Sequence, residues 1–218
     1  MMLKGVVFGL CVIMNKNDAR DFSHLEINAI ATIVNRACLK LENNYLYESM
    51  YDYLVSNLTA LVHTIEAKDP YTKDHSERVT RYALEISEVI GMNEKNKEAI
   101  RFAGPLHDIG KIDARDDILL KPGKLTKEEY EEIKKHVVIG EEILRPLKFL
   151  HLESDIVRHH HENFDGTGYP DGLKGEAIPL LARIMSVADT YDALTSTKPY
   201  RKKRTHEEAL NEIMVIYT

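Results

Sequence analysis

The residues best suited to chemistry lie in three short stretches of histidine and aspartate. His107-Asp108 follows the apolar residues 99–106 and precedes Ile109, which puts both polar side chains at the inner end of a mostly buried helix. A buried carboxylate and imidazole are costly unless paired or metal-bound. Neighbouring helix positions point about 100° apart, so two ions could share Asp108 while His107 serves only one. Lys111, four residues beyond His107, faces the same cavity. In the second stretch, 160–170, His160 and His161 stand at a helix end and run into a glycine-rich loop. The third, 187–194, sets Asp189 in an apolar helix. An N-cap or an internal ion pair would account for that carboxylate, and a metal gives it a better reason. His75 and His136 stand apart, and each reads equally well as a helix-surface residue.

Wide spacing between these stretches means that only a fold can unite them. Six amphipathic helices are expected, over 74–90, 95–109, 127–144, 151–160, 178–195 and 205–216. Turn signals separate them at Gly91, Lys121-Pro122-Gly123, Pro146, the glycine-rich residues 165–175, and Pro199. Thr126 with Glu129 forms a capping box for the third. Upstream, residues 3–14 read as one or two buried strand pieces. Residues 22–68 carry a helical pattern opened by Ser23 and Glu26. Ile30, Val34, Ala37 and Leu41 step along one face, and after Asn43-Asn44 the stepping resumes at Tyr47, Tyr51, Leu54, Leu58, Leu61 and Ile65. That is a coiled-coil seam with a phase slip, or an ordinary amphipathic helix. The predicted fold class is mainly all-α.

Composition narrows the partners. The chain has 218 residues, a hydrophobic share of 44% and a formal net charge of −6. A nucleotide would therefore be held by metals or a local basic patch, not by the global field. The one dense basic run is Lys198-Pro199-Tyr200-Arg201-Lys202-Lys203-Arg204. Cys11 and Cys38 lie in apolar runs and read as reduced, buried hydrophobes, in keeping with a cytoplasmic setting. The longest apolar run, residues 6–14, is too short to span a membrane.

Five blocks together resemble the HD-GYP family, a subset of the HD phosphohydrolases. They are DPYTKDHSERV from residue 69, HDIGK from 107, LLKPGKL from 119, HHENFDGTGYP from 160, and ADTYDALTSTKPYR from 188. The resemblance implies a helical bundle holding a metal centre. By position, His75, His107, Asp108 and Asp189 would hold one metal, and Asp108 would bridge to a second completed by His136, His160 and His161. Some family members recruit a third metal through a Glu where this chain has Tyr71. That departure implies two divalent ions, iron or manganese above zinc or nickel. The implied activity is hydrolysis of cyclic di-GMP to linear pGpG, and on to GMP, by a metal-bridging hydroxide, with Asp108 and Lys111 catalytic. Alternatives are hydrolysis of cyclic GMP-AMP or another nucleotide, or a non-catalytic sensing or docking module. Substrate contacts carried over are Lys111, Gly168, Tyr169, Asp192, Lys198 and Arg201. The family usually has Arg where this chain has Lys198, which keeps the charge and loses the fork. The segment 1–45 is similar to the end of a GAF sensor domain, 46–68 to a dimer-forming connector helix, and 69–218 to the HD-GYP domain with its end cut short. A cyclase domain is an implied partner of the 168–170 loop.

Overall fold

A computed structural model describes residues 2–3, 6–7, 9–14, 20–66, 74–121, 123–196 and 203–216. Tyr71, Lys198 and Arg201 lie outside the described residues.

The chain divides into two units, 1–56 and 57–218. In the first, β1 (Met2–Leu3) pairs antiparallel with β2 (Val6–Val7). The expected strand signal over 3–14 thus yields two-residue strands, and residues 9–14 carry no regular structure. Helix α1 (His24–Glu66) begins in this unit and runs unbroken through Asn43-Asn44. Ser23 caps it as predicted: the Glu26 amide donates to the Ser23 hydroxyl at 3.3 Å, and the Ser23 amide donates to the Glu26 carboxylate at 2.8 Å. Cys11 is exposed and Cys38 half-buried. The expectation of two buried thiols fails because, among the described residues, the apolar neighbours Leu10, Val12, Ile13, Leu39 and Leu41 are themselves exposed and build no core around either cysteine.

The second unit is helical. It holds the last turns of α1, then α2 (His75–Val89), α3 (Glu94–Leu106), α4 (Asp116–Leu119), α5 (Lys127–Lys134), α6 (His136–Leu144), α7 (His151–His159), α8 (Leu180–Thr195) and α9 (His206–Ile216). Helix α2 packs on α3 and α8, α3 on α7, and α6 on α7. Their shared core contains Val79, Ala83, Ile100, Phe102, Leu106, Val137, Ile156, Val157 and Met185, all fully buried. Helix α9 closes over the end of α8 through Ala209, Ile213 and Leu194.

Helix starts follow local chemistry. Asn93 caps α3 by accepting the Asn96 amide at 2.9 Å. Thr126 and Glu129 form the predicted reciprocal box at α5. Two boundaries depart from expectation. The helix expected over 127–144 tightens at Lys135, where the Lys135 amide donates to Glu132 O and the Val138 amide to Lys135 O, each three residues apart. The helix expected over 95–109 ends at Leu106, and a 3-10 turn, Ile109–Asp113, follows. That turn packs against α6 with Gly110 at the contact. A Cβ on Gly110 would stand 2.6 Å from Gly140 N and closer still to the His136 carbonyl. Only a residue without a side chain lets the turn lie there.

Candidate metal centre

Histidines from α2, the end of α3, α6 and the end of α7 converge in the middle of this bundle. Ring centroids stand 5.4 Å apart for His75 and His107, 5.1 Å for His107 and His160, and 5.2 Å for His136 and His161. Asp108 lies among them. Its Oδ2 is 3.4 Å from His107 Nε2, and its Oδ1 is 3.3 Å from His136 Nε2. Each carboxylate oxygen thus faces a different imidazole, the disposition of a bridging ligand.

Three of these rings are fixed in the same way. His107 Nδ1 is 2.7 Å from Gly104 O, His136 Nδ1 2.7 Å from Ile133 O, and His160 Nδ1 2.9 Å from Val157 O. A carbonyl only accepts, so each Nδ1 carries a proton, and in the neutral ring Nε2 is left with its lone pair. All three Nε2 atoms are buried without a hydrogen-bond partner, as is Asp108 Oδ1. Four orphaned acceptors in one buried cluster are expensive on their own. A cation is the group that would satisfy them all. Two sets of ligand atoms each fall within 4.8 Å: Asp108, His136, His160 and His161, and also His75, His107 and Asp108. The residues present therefore fit a pair of divalent ions sharing Asp108.

Electrostatics point the same way. Burial pushes His160 well below the ordinary imidazole range, helped by His161, His107 and His136. Burial also drives His161 down to about 4 and lowers His136. These rings are neutral, which is the form that binds metal. Burial opposes ionisation of Asp108, but Lys111, His107, His136 and His75 outweigh it and hold the carboxyl well below its usual range. Lys111 Nζ donates to Asp108 Oδ2 at 2.5 Å.

His75 differs. Burial opposes its charge, but hydrogen bonds to Asp189 and Asp192 raise it to about 9. Its Nε2 is 3.2 Å from Asp189 Oδ1, and its Nδ1 2.7 Å from Asp192 Oδ2. Asp189 thus reaches the cluster as a partner of His75, with both side chains mostly buried. An ion entering here must displace a proton from His75.

The 160–170 loop closes beside the cluster. Glu162 is 1% exposed and accepts the amides of Asp171 at 2.8 Å and Leu173 at 3.0 Å. The Tyr169 amide donates to His161 O at 3.1 Å, and its ring leans on His161 with centroids 4.9 Å apart. Gly168 lies so near the Glu162 and Asn163 backbone that a Cβ would stand 2.5 Å from Glu162 Cα. Of the residues expected at the substrate, Lys111 and Tyr169 border the cluster, and Gly168 shapes the loop. Asp192 does not face the site. It is 2% exposed, with both oxygens engaged by His75 and Arg78. Sequence reasoning missed Arg78 and Glu162 altogether. Arg78 lies inside the DPYTKDHSERV block, three residues after His75, and that spacing is the signal that could have found it.

A model of the HD domain family matches residues 59–215. The chain belongs to this family. This HD domain protein is 40% identical over 196 residues to the cyclic di-GMP phosphodiesterase response regulator RpfG of Xanthomonas campestris, an alignment covering 88% of this chain and 52% of that one. It is 34% identical over 197 residues to the 3'3'-cGAMP-specific phosphodiesterase 2 of Vibrio cholerae, covering 89% and 38%. The chain therefore spans about half or less of the length of these relatives. Among solved structures it is similar to Bd1817, an HDG"Y"P protein from Bdellovibrio bacteriovorus, with a TM-score of 0.56 at 20% identity over 76% of this chain and 57% of that one. At that identity the likeness concerns the fold, a helical HD bundle. Among the described residues, no helix is long and apolar enough to cross a membrane.

Proposed function

We propose that this HD domain protein is a metal-dependent phosphodiesterase that linearises a cyclic dinucleotide, cyclic di-GMP first. The observation that carries this is the convergence of three buried, partnerless Nε2 atoms and one Asp108 oxygen. His75, His107, Asp108 and Asp189 would hold one ion, and Asp108, His136, His160 and His161 a second. Iron or manganese suits this donor set. Bound divalent ions supply Lewis-acid polarisation of a phosphoryl oxygen and acidify water for attack on phosphorus.

The chain's own residues do the remainder. Asp108 holds the two halves of the site in register through its two oxygens. Lys111 keeps a cation beside that carboxylate, where it offsets charge developing on the phosphoryl oxygens. Tyr169 and the loop anchored by Glu162 wall one side of the cluster and restrict water there. Relatives named for cyclic di-GMP and for 3'3'-cGAMP both align, so cyclic GMP-AMP is the second substrate to test. A homodimer through residues 46–68 and a cyclase partner at the 168–170 loop belong to the same reading, as does a GAF-like segment over 1–45.

The test is direct. Protein loaded anaerobically with iron or manganese should convert cyclic di-GMP to pGpG or GMP, and Asp108→Ala should not. Full metal loading without cleavage of either dinucleotide would sink the proposal.

A further inference from the structure

Three of the candidate ligands are oriented by nearby backbone, each Nδ1 set against the carbonyl three residues earlier. His75, the first residue of α2, is held differently. Asp74 precedes it in a left-handed conformation (φ 58°), so α2 does not continue back through Asp74. Its Nδ1 is held instead by a carboxylate from another helix, Asp192 of α8, at 2.7 Å. Asp192 is in turn gripped by Arg78, one turn after His75 on α2. Arg78 Nε donates to Oδ1 at 2.6 Å and a terminal guanidinium nitrogen donates to Oδ2 at 3.0 Å. A second hydrogen bond from that nitrogen reaches Ser196 Oγ at 3.3 Å.

We infer that Arg78 and Asp192 are positioning residues for one of the two ions: Arg78 fixes Asp192, and Asp192 aims His75 Nε2 into the centre. The physical need is specific. Asp192 is 2% exposed, and a carboxylate at that depth needs a cation. Arg78 supplies a fork that matches both oxygens, which leaves Asp192 no rotational freedom. A carboxylate behind a ligating imidazole fixes its tautomer and raises its basicity. His75, whose Nδ1 is held by a carboxylate from another helix, is the ligand that most depends on such a partner. His136 and His160, which with Asp108 and His161 would hold the second ion, are oriented by carbonyls three residues earlier and not by this triad, so the effect falls on the ion that His75 would hold. The inference rests on the metal-centre reading above.

The test titrates Mn²⁺ into metal-free protein under anaerobic conditions, with per-chain stoichiometry read by equilibrium binding. Electron paramagnetic resonance distinguishes coupled manganese pairs from isolated ions. Wild type should bind two ions and show a coupled pair. Asp192→Asn and Arg78→Gln should each weaken one ion by about 10- to 100-fold and leave the other unchanged. At two equivalents of manganese the coupled signal should give way to that of isolated ions. Arg78→Lys, which keeps charge without the fork, should fall between. Circular dichroism of the metal-free proteins checks folding; should Asp192→Asn not fold, the two Arg78 variants, at a side chain 29% exposed, carry the test alone. Two unchanged affinities, or two that fall in parallel, overturn the inference while leaving the metal centre standing. A wild type that binds no manganese overturns the metal-centre reading and the inference with it.

Discussion

Gly110→Ala probes the contact that sets Asp108 and Lys111 against α6. The added Cβ would meet Gly140 N at 2.6 Å and overlap the His136 carbonyl oxygen. Both neighbours are backbone atoms of α6, so no side chain can rotate away. Overpacking a rigid core costs about 1–3 kcal/mol, and backbone on two sides argues for the upper end, about 3 kcal/mol. For a chain of this size that corresponds to a loss of roughly 6–12 °C in melting temperature. The natural control is Gly91→Ala. Gly91 has φ 71° and open space where a Cβ would go, so only its left-handed backbone is strained, at about 1 kcal/mol. Urea unfolding of wild type and both variants, metal-free, measures the difference. Because the 3-10 turn carries Lys111 and adjoins Asp108, Gly110→Ala should also weaken manganese binding, whereas Gly91→Ala should not. A Gly110→Ala protein no less stable than Gly91→Ala would refute the packing argument.

Other consequences follow from individual groups. Lys111→Met should slow turnover about 100-fold with metal content unchanged, since it removes a cation that serves the developing charge and not an ion ligand; steady-state kinetics on manganese-loaded protein checks this. Glu162→Ala strands the Asp171 and Leu173 amides and should cost about 3 kcal/mol, read by urea unfolding, with faster proteolysis in the 163–173 loop. Burial raises the Glu153 carboxyl above its ordinary 4.5. The folded state therefore holds this proton more tightly than the unfolded chain, and Glu153 loses stability as pH rises through that range. Glu153→Gln should accordingly be more stable than wild type at pH 7, with the advantage closing below about pH 4 in unfolding curves measured at each pH.

Local signals made much of this fold legible. The capping boxes at Ser23 and Thr126 form as their spacing requires, and five of the six helices expected after residue 69 are present within a few residues, while the one over 127–144 is divided at Lys135. The helix ends near the site were harder to place. Pro105 contributes no amide, and α3 stops one residue later, but the apolar run continues to Ile109 and hides the change to a 3-10 turn. The two-residue strands near the start show that an apolar, β-branched run is insufficient without neighbours to pair with. At the site, adjacent pairs such as His107-Asp108 and His160-His161 announced themselves because buried polar neighbours are conspicuous in apolar helices. Asp192 did not. It sits 114 residues from Arg78, and its oxygens are used up by that guanidinium and by His75. Family resemblance implies a place at the substrate, while in the structure its side chain is engaged by His75 and Arg78. Glu162 was passed over as one polar residue in a polar loop; only the folded loop brings two amides to its carboxylate.

On the proposed function, the Asp108 cluster binds a pair of divalent ions and uses them on a cyclic dinucleotide. Metal content of anaerobically purified protein, measured on the same sample as cyclic di-GMP turnover, tests it most directly. Two ions per chain and conversion to linear dinucleotide are expected, both lost in Asp108→Ala. Protein that carries no stoichiometric metal yet cleaves, or carries two ions and cleaves neither cyclic di-GMP nor cyclic GMP-AMP, would contradict it.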